Sequence, residues 1–185
     1  MDRSNHYEAA FEAYLRAHGV AYIAVDEAKR SLLGNVGVKS LDFIVVGPDT
    51  CKLVVDVKGR KFPGGSAEKP RKVWQNWATL EDVDGLGRWA EQFGTDFRGV
   101  IAFVYQIMPP FVLPTETADL FTFRDRVYLM RGVSCADYRR VMRPRSERWG
   151  TVHLATADFR TLVVPFSQLL HESSAPIPSE NAVSP

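Results

Sequence analysis

Apolar positions along the chain fall into two kinds of period. Tyr7, Phe11, Tyr14, Leu15 and His18 recur at i, i+4, i+7, i+8 and i+11, a single helical stripe. Ser4 or Asn5 is placed to cap that helix, and Gly19 to end it. Residues 21–25 form a short apolar run that predicts a strand. Two β-branched runs, 43–46 and 53–57, flank Gly47-Pro48-Asp49, a strand-turn-strand pattern. A second helix is expected from Asp82 or Asp84, with Val83, Leu86, Trp89, Ala90 and Phe93 on its apolar face and Gly94 as its stop. Residues 98–105 are almost continuously apolar, which predicts a strand covered on both faces and paired in parallel across the helix by a right-handed crossover. Past Pro109-Pro110 the pattern loosens. Residues 127–130 read as a strand, Ser134 and Asp137 as a capping pair for a short helix through Met142, and 151–155 with 159–164 as a terminal hairpin. The division expected is a single domain over 1–170 and a Ser-, Pro- and Glu-rich disordered tail over 171–185. There is no internal repeat.

Three charges break the apolar strands. Asp42, Asp56 and Lys58 stand where a buried sheet should hold only Val and Ile. A charge is costly to desolvate unless it is paired or binds metal. Alternation puts Asp56 and Lys58 on one face of their strand, with Val55 and Val57 on the other, and one register of the neighbouring strand sets Asp42 beside Asp56. Two carboxylates with open water positions suit Mg²⁺, or Mn²⁺ in its place. Such an ion polarises a phosphoryl oxygen and acidifies a bound water, and Lys58 is placed to orient or deprotonate that water or to stabilise developing charge. The duller reading is an Asp56–Lys58 contact at a strand end with Asp42 in a separate ion pair. Glu8 borders the apolar stripe of the first helix, whereas Glu12 lies further round and Arg16 faces solvent. Glu8 therefore has two readings: a third acid of this site, or the third helical residue of a capping box with Asn5.

Basic residues gather in two further places. Arg60, Lys61, Lys69, Arg71 and Lys72 accompany Pro63, Gly64, Gly65 and Pro70 in an expected long loop over 59–82, which ends at Trp74 and Trp77. Arg139, Arg140, Arg143, Arg145 and Arg148 surround a single acid, Glu147, and Trp149. Together with Arg30 these are the candidate phosphate contacts; a solvated helix end explains the second group equally well. Trp74 and Trp77 are expected to anchor their loop rather than to stack on bases. The formal net charge of the 185-residue chain is +1, so nucleic-acid affinity has to come from such local patches. Hydrophobic residues make up 45%, enough for a sizeable core. No apolar run reaches the roughly 18 residues of a membrane span, and the N-terminus lacks the apolar core of a secretory signal. The two cysteines, Cys51 and Cys135, form no C-x-x-C pair, and the histidines show no H-x-x-x-H spacing. A reduced, cytoplasmic protein without structural zinc or membrane is expected.

The order helix acid, strand Asp, turn, strand Asp-x-Lys, basic loop, helix, strand resembles the PD-(D/E)XK nuclease superfamily over residues 5–105. The matching residues are Glu8, Asp42, Asp56 and Lys58; Leu41 stands where the superfamily has its name-giving proline. The resemblance implies an α/β fold with a restriction-endonuclease-like core in the order αβββαβ. A mixed central sheet would be flanked by helices, with a β-rich extension following it. It also implies a Mg²⁺-dependent (or Mn²⁺-dependent) endonuclease of resolvase or repair type. Its ligands would be Glu8, Asp42 and Asp56, its catalytic lysine Lys58 and its partner DNA, and a homodimer is left open. The alternative is a non-catalytic nucleic-acid-binding or assembly domain on the same fold.

Overall fold

The computed structural model describes residues 5–25, 41–48, 51–66 and 68–171. Arg30, the turn residue Asp49 and the tail beyond His171 lie outside the described residues.

The first helix, α1 (His6–Ala17), starts at Asn5, whose side chain accepts from the Tyr7 N–H, and it buries Ala10, Phe11, Tyr14 and Leu15. Gly19 follows its end with φ +65°, in the left-handed region that glycine adopts without cost. Strand β1 (Ala21–Ala24) pairs antiparallel with β2 (Phe43–Val46), and β2 antiparallel with the long β3 (Lys52–Phe62). The expected basic loop is therefore shorter than its composition suggests, because Gly59, Arg60 and Lys61 continue β3. Past it, the small strands β4 (Gly64–Gly65) and β5 (Pro70–Arg71) pair with each other. Strand β6 (Ala78–Thr79) then leads into helix α2 (Leu80–Phe93). The strand after α2, β7 (Phe97–Ile107), runs parallel to β3 over eleven paired positions, from Lys52↔Phe97 to Phe62↔Ile107. These elements give the expected αβββαβ order.

The C-terminal part mixes strands and short helices. Strand β8 (Leu120–Phe123) and the nine-residue β9 (Arg126–Ser134) extend the main sheet. Helix α3 (Cys135–Val141) starts after Ser134, but Ser134 makes no side-chain cap, and Asp137 pairs with Arg140 instead. Strands β10 (Arg143–Ser146) and β11 (Thr151–His153) form an antiparallel hairpin. The expected second arm of a 151–164 hairpin is a helix, α4 (Thr156–Leu162). Phe159, Leu162 and Val163 are spaced i, i+3, i+4 and pack as a helical stripe into the core, so period 3.6 prevails over the local β-propensity. Strand β12 (Val164–Pro165) and helix α5 (Phe166–His171) complete the described chain, and His171 ends that helix rather than opening a tail.

The main sheet has the order β1-β2-β3-β7-β9-β12, with β8 also on β9. One core lies between its first face and α1 with α5, where Leu53, Val55 and Val57 point. The other lies under α2, α3 and α4, where Val54, Ile101 and Phe103 point. Asp56 and Lys58 share the parity of Val54 and so face α2. The α1 layer is held close at Gly59: a Cβ built there would overlap the Tyr7 ring and stand 2.8 Å from Tyr7 Cβ. Tyr7 packs edge-on against Tyr128, with ring centroids 6.2 Å apart, so it has little room to yield. Gly59→Ala is expected to lift the first turn of α1 and to cost about 1–3 kcal/mol in denaturant unfolding. Tyr7→Ala in the same chain should recover most of that loss, and a double variant no more stable than Gly59→Ala would show the close approach to be unimportant. Among the described residues no helix is long and apolar enough to cross a membrane.

Candidate active site

The β2–β3 register pairs Phe43 with Val55, so the next step outward sets Asp42 opposite Asp56. The Asp42 N–H donates to Val55 O at 2.9 Å, closing the ladder there. Strand β3 runs on beyond β2, and the Asp42 carboxylate takes up the next outward-facing amide: Val57 N–H donates to Asp42 Oδ2 at 2.7 Å. The register thus puts Asp42 beside Asp56, on the same side of the sheet.

Asp56 is 5% exposed. The Lys58 ammonium lies 2.5 Å from its Oδ2 and pairs with it charge to charge. The same ammonium lies 3.0 Å from Oδ2 of Asp82, whose side chain is 2% exposed. Asp82 also closes the capping box of α2: its Oδ2 accepts from the Thr79 N–H at 2.8 Å, and its own N–H donates to Thr79 Oγ1 at 3.1 Å. Two carboxylates therefore hold one ammonium, and Asp42 stands opposite the first of them in the strand register. Burial pushes the Asp56 carboxyl up to about 7. Lys58 opposes that rise, and the negative charges of Asp42 and Asp82 add to it. Burial pulls Lys58 down, but Asp56 and Asp82 outweigh it and hold the amine above its ordinary value. Burial thus works against both charged groups, and the pairing of Lys58 with Asp56 and Asp82 works in their favour.

Asp82 did not figure among the expected site residues. A signal for its local role exists, because Thr79-x-x-Asp82 before an apolar run is the spacing of a capping box. Helix α2 accordingly starts at Leu80 rather than at Asp82 or Asp84. Nothing in the spacing tells that the capping acid would also meet a lysine of β3, 24 residues earlier.

Glu8 sits half-buried on α1, in the layer across the sheet from Lys58. Its Oε1 accepts from Asn5 Nδ2 at 2.6 Å, so the capping partner and Glu8 do interact, side chain to side chain. Among the described residues, no three His, Cys, Asp or Glu side chains are gathered as a metal-holding group.

The basic residues divide by environment. The Arg60 guanidinium is drawn inward. It donates to Gly59 O at 2.7 Å and to Trp77 O at 2.5 Å, and it lies 3.9 Å from the Trp77 ring centroid. Burial lowers its pKa. Arg60 thus anchors Trp77, while Trp74 stacks on Phe62 with centroids 3.5 Å apart, so both tryptophans hold their segment to the core. Lys61, Lys69, Arg71 and Lys72 are exposed. Arg139, Arg140 and Arg143 face Asp84, Asp137 and Asp158 at 3.2, 2.9 and 3.6 Å, with their guanidinium ends still open to solvent. Arg145 lies over Trp77, and Arg148 over Trp149.

No protein-family model matches the chain, and no curated protein sequence does. Among solved structures it is similar to Hjc of Archaeoglobus fulgidus, a Holliday junction resolvase from an archaeal hyperthermophile. The TM-score is 0.52 at 13% identity, over 89% of this chain and 98% of that one. At such identity the likeness is one of fold, and the fold is the expected one: a restriction-endonuclease-like core with a mixed sheet between helical layers.

Proposed function

We propose that this chain is a divalent-metal-dependent nuclease that hydrolyses phosphodiester bonds in DNA. The observation that carries the reading is Lys58 held between the buried carboxylates of Asp56 and Asp82, with Asp42 opposite Asp56 where β2 ends and β3 runs on beside β7. Asp42, Asp56 and Asp82 stand against a single lysine there, an excess that a divalent cation would neutralise, and carboxylate oxygens are the donors that Mg²⁺ and Mn²⁺ prefer. Asp42 and Asp56 would hold the ion; Glu8, proposed as the third acid, stands in the α1 layer and would have to reach the ion past the end of β2. A bound ion supplies a polarised phosphoryl oxygen and an acidified water. Lys58, held protonated by two carboxylates, serves as a donor to charge developing on the phosphoryl group rather than as a base. Asp82 keeps that ammonium in place from the first turn of α2. Lys61, Lys69, Arg71, Lys72, Arg139, Arg140, Arg143, Arg145 and Arg148 are the proposed phosphate contacts, whereas Arg60 is occupied with Trp77.

A second reading has its own observation. The Lys58 ammonium bridges Asp56 and Asp82 as a structural ion pair would, and a non-catalytic nucleic-acid-binding domain could be built on that pair. Thermal melts with and without Mg²⁺ or Mn²⁺, run beside cleavage of plasmid and single-stranded DNA, separate the two. The nuclease reading expects a metal-dependent rise in Tm and metal-dependent cuts. A protein that binds DNA with neither response would establish the second reading. In either case, changing Lys69, Arg71 and Lys72 to Ala should weaken binding on all sequences. The salt slope should flatten by about 0.9 for each duplex phosphate that the protein no longer neutralises. An unchanged slope would mean that these lysines and this arginine only solubilise the surface.

A further inference from the structure

We infer that Trp149, at the tip of the β10–β11 hairpin, is a stacking platform for an unpaired DNA base beside the proposed cleavage site. The inference rests on the nuclease reading and adds a substrate class to it.

Trp149 is 69% exposed. A single exposed apolar residue ordinarily needs no explanation; this one stands at the end of a braced arm. Gly150 N–H donates to Glu147 O at 3.1 Å, closing the turn, and Gly150 takes φ +53°. The arm is tied to the active-site helix twice. Strand β11 pairs with β6 through Thr151↔Thr79 and Val152↔Ala78. Leu80 N–H, at the first position of α2, donates to Gly150 O at 2.8 Å. Asp82 lies two residues further on, about 3 Å along the helix axis, and its carboxylate touches Lys58. The residue next to Trp149 is therefore bonded to the same helical turn that holds Lys58.

The chemistry of the arm selects the partner. Arg143, Arg145 and Arg148 are exposed on it, with Glu147 the one acid of the arm and Asp158 of α4 facing Arg143, so the arm keeps an excess of positive charge that suits a polyanion. The Arg148 guanidinium lies 5.3 Å from the Trp149 ring centroid, which joins a phosphate-binding group to an aromatic surface. Arginine and an accessible aromatic face together are the equipment for holding a nucleotide by its phosphate and its base. In an intact duplex both faces of each base are covered by neighbours. A face becomes available only at a gap, a flap, a branch or a single strand, and such a base would reach Trp149 while its phosphates lie on the arginines.

The test uses the full chain with divalent cations chelated, so that binding is measured without cutting. The probes are a fully paired DNA duplex and the same duplex carrying a short gap with 2-aminopurine as the unpaired base. The wild-type protein is expected to bind the gapped duplex more tightly and to quench the 2-aminopurine. Trp149→Ala should lose about tenfold on the gapped duplex, abolish the quench and stay within about twofold of wild type on the paired duplex. Trp149→Phe should restore most of both signals. Arg145→Ala with Arg148→Ala should weaken both probes alike. Equal losses on both probes in Trp149→Ala, or an undiminished quench, would overturn the inference while leaving the nuclease reading standing. A wild-type protein that binds neither probe would overturn both.

Discussion

Asp56→Asn is expected to make the metal-free protein more stable at pH 8 and, in the proposed nuclease reading, to end metal-dependent cleavage. The carboxyl of Asp56 titrates near 7 in the folded chain, against 3.8 for an ordinary aspartate. The sign follows directly. Between those two values the folded state holds a proton that the unfolded state has released, so stability falls as pH rises through this window. Below about pH 4 both states are protonated and the penalty is gone; above about pH 7 it is complete. Asn has the same shape without the charge and so escapes it. Lys58 then leans on Asp82 alone, which offsets part of the gain, and a net rise of about 1–2 kcal/mol, or roughly 3–6 °C in Tm, is expected at pH 8. The difference should vanish near pH 4. In the nuclease reading the variant also loses the Mg²⁺-dependent rise in Tm, because the cation loses a ligand. The wild-type rise should itself grow as pH passes upward through about 7, where the cation no longer competes with a proton. A variant less stable than wild type at pH 8 would show that Asp56 is held chiefly by its pairing with Lys58.

Lys58→Met should have the larger and opposite effect on stability. Methionine replaces the stem in length but leaves Asp56 and Asp82 buried around no ammonium. Removing one partner of a buried ion pair costs about 3–5 kcal/mol, here roughly 10 °C in Tm. Wild-type Lys58 has its pKa raised, so its contribution is fully present below its ordinary value of 10.5 and is lost only as pH rises above that. The variant should therefore be much weaker than wild type at pH 8. At pH 5 the gap should narrow, because Asp56 can then take a proton. Asp56→Asn combined with Lys58→Met should regain a large part of the loss, since one of the stranded charges is gone. Cleavage should be absent in both, whereas cation binding by Lys58→Met should persist, because an ammonium is not a metal ligand. Melts at the two pH values with the single and double variants check all of this. A Lys58→Met protein that melts with wild type at pH 8 would mean that Lys58 does not neutralise the cluster.

Period and punctuation along the chain were enough to determine α1, the β2–turn–β3 unit, the presence of α2 and the buried strand β7. A stripe at i, i+4, i+7 and a β-branched run each bury one face whatever they pack against. Asp42, Asp56 and Lys58 were legible for the same reason: a charge inside an apolar strand demands a partner. What the partner would be was decided by tertiary structure. Antiparallel strands can slide by two residues without turning a side chain to the other face. The Phe43↔Val55 register that sets Asp42 opposite Asp56 is therefore a product of sheet packing. Arg60 looked like a phosphate contact and became an anchor for Trp77, because only the folded chain brings carbonyls and an indole to its guanidinium. Residues 159–162 became helical because Phe159 and its neighbours found a core to fill. Asp82 shows the division most directly. Its capping role is local, readable from Thr79-x-x-Asp82, since a helix start is satisfied within four residues. Its hold on Lys58 spans the crossover from β3 to α2, and a contact across that distance depends on where the helix settles on the sheet, which no local pattern encodes.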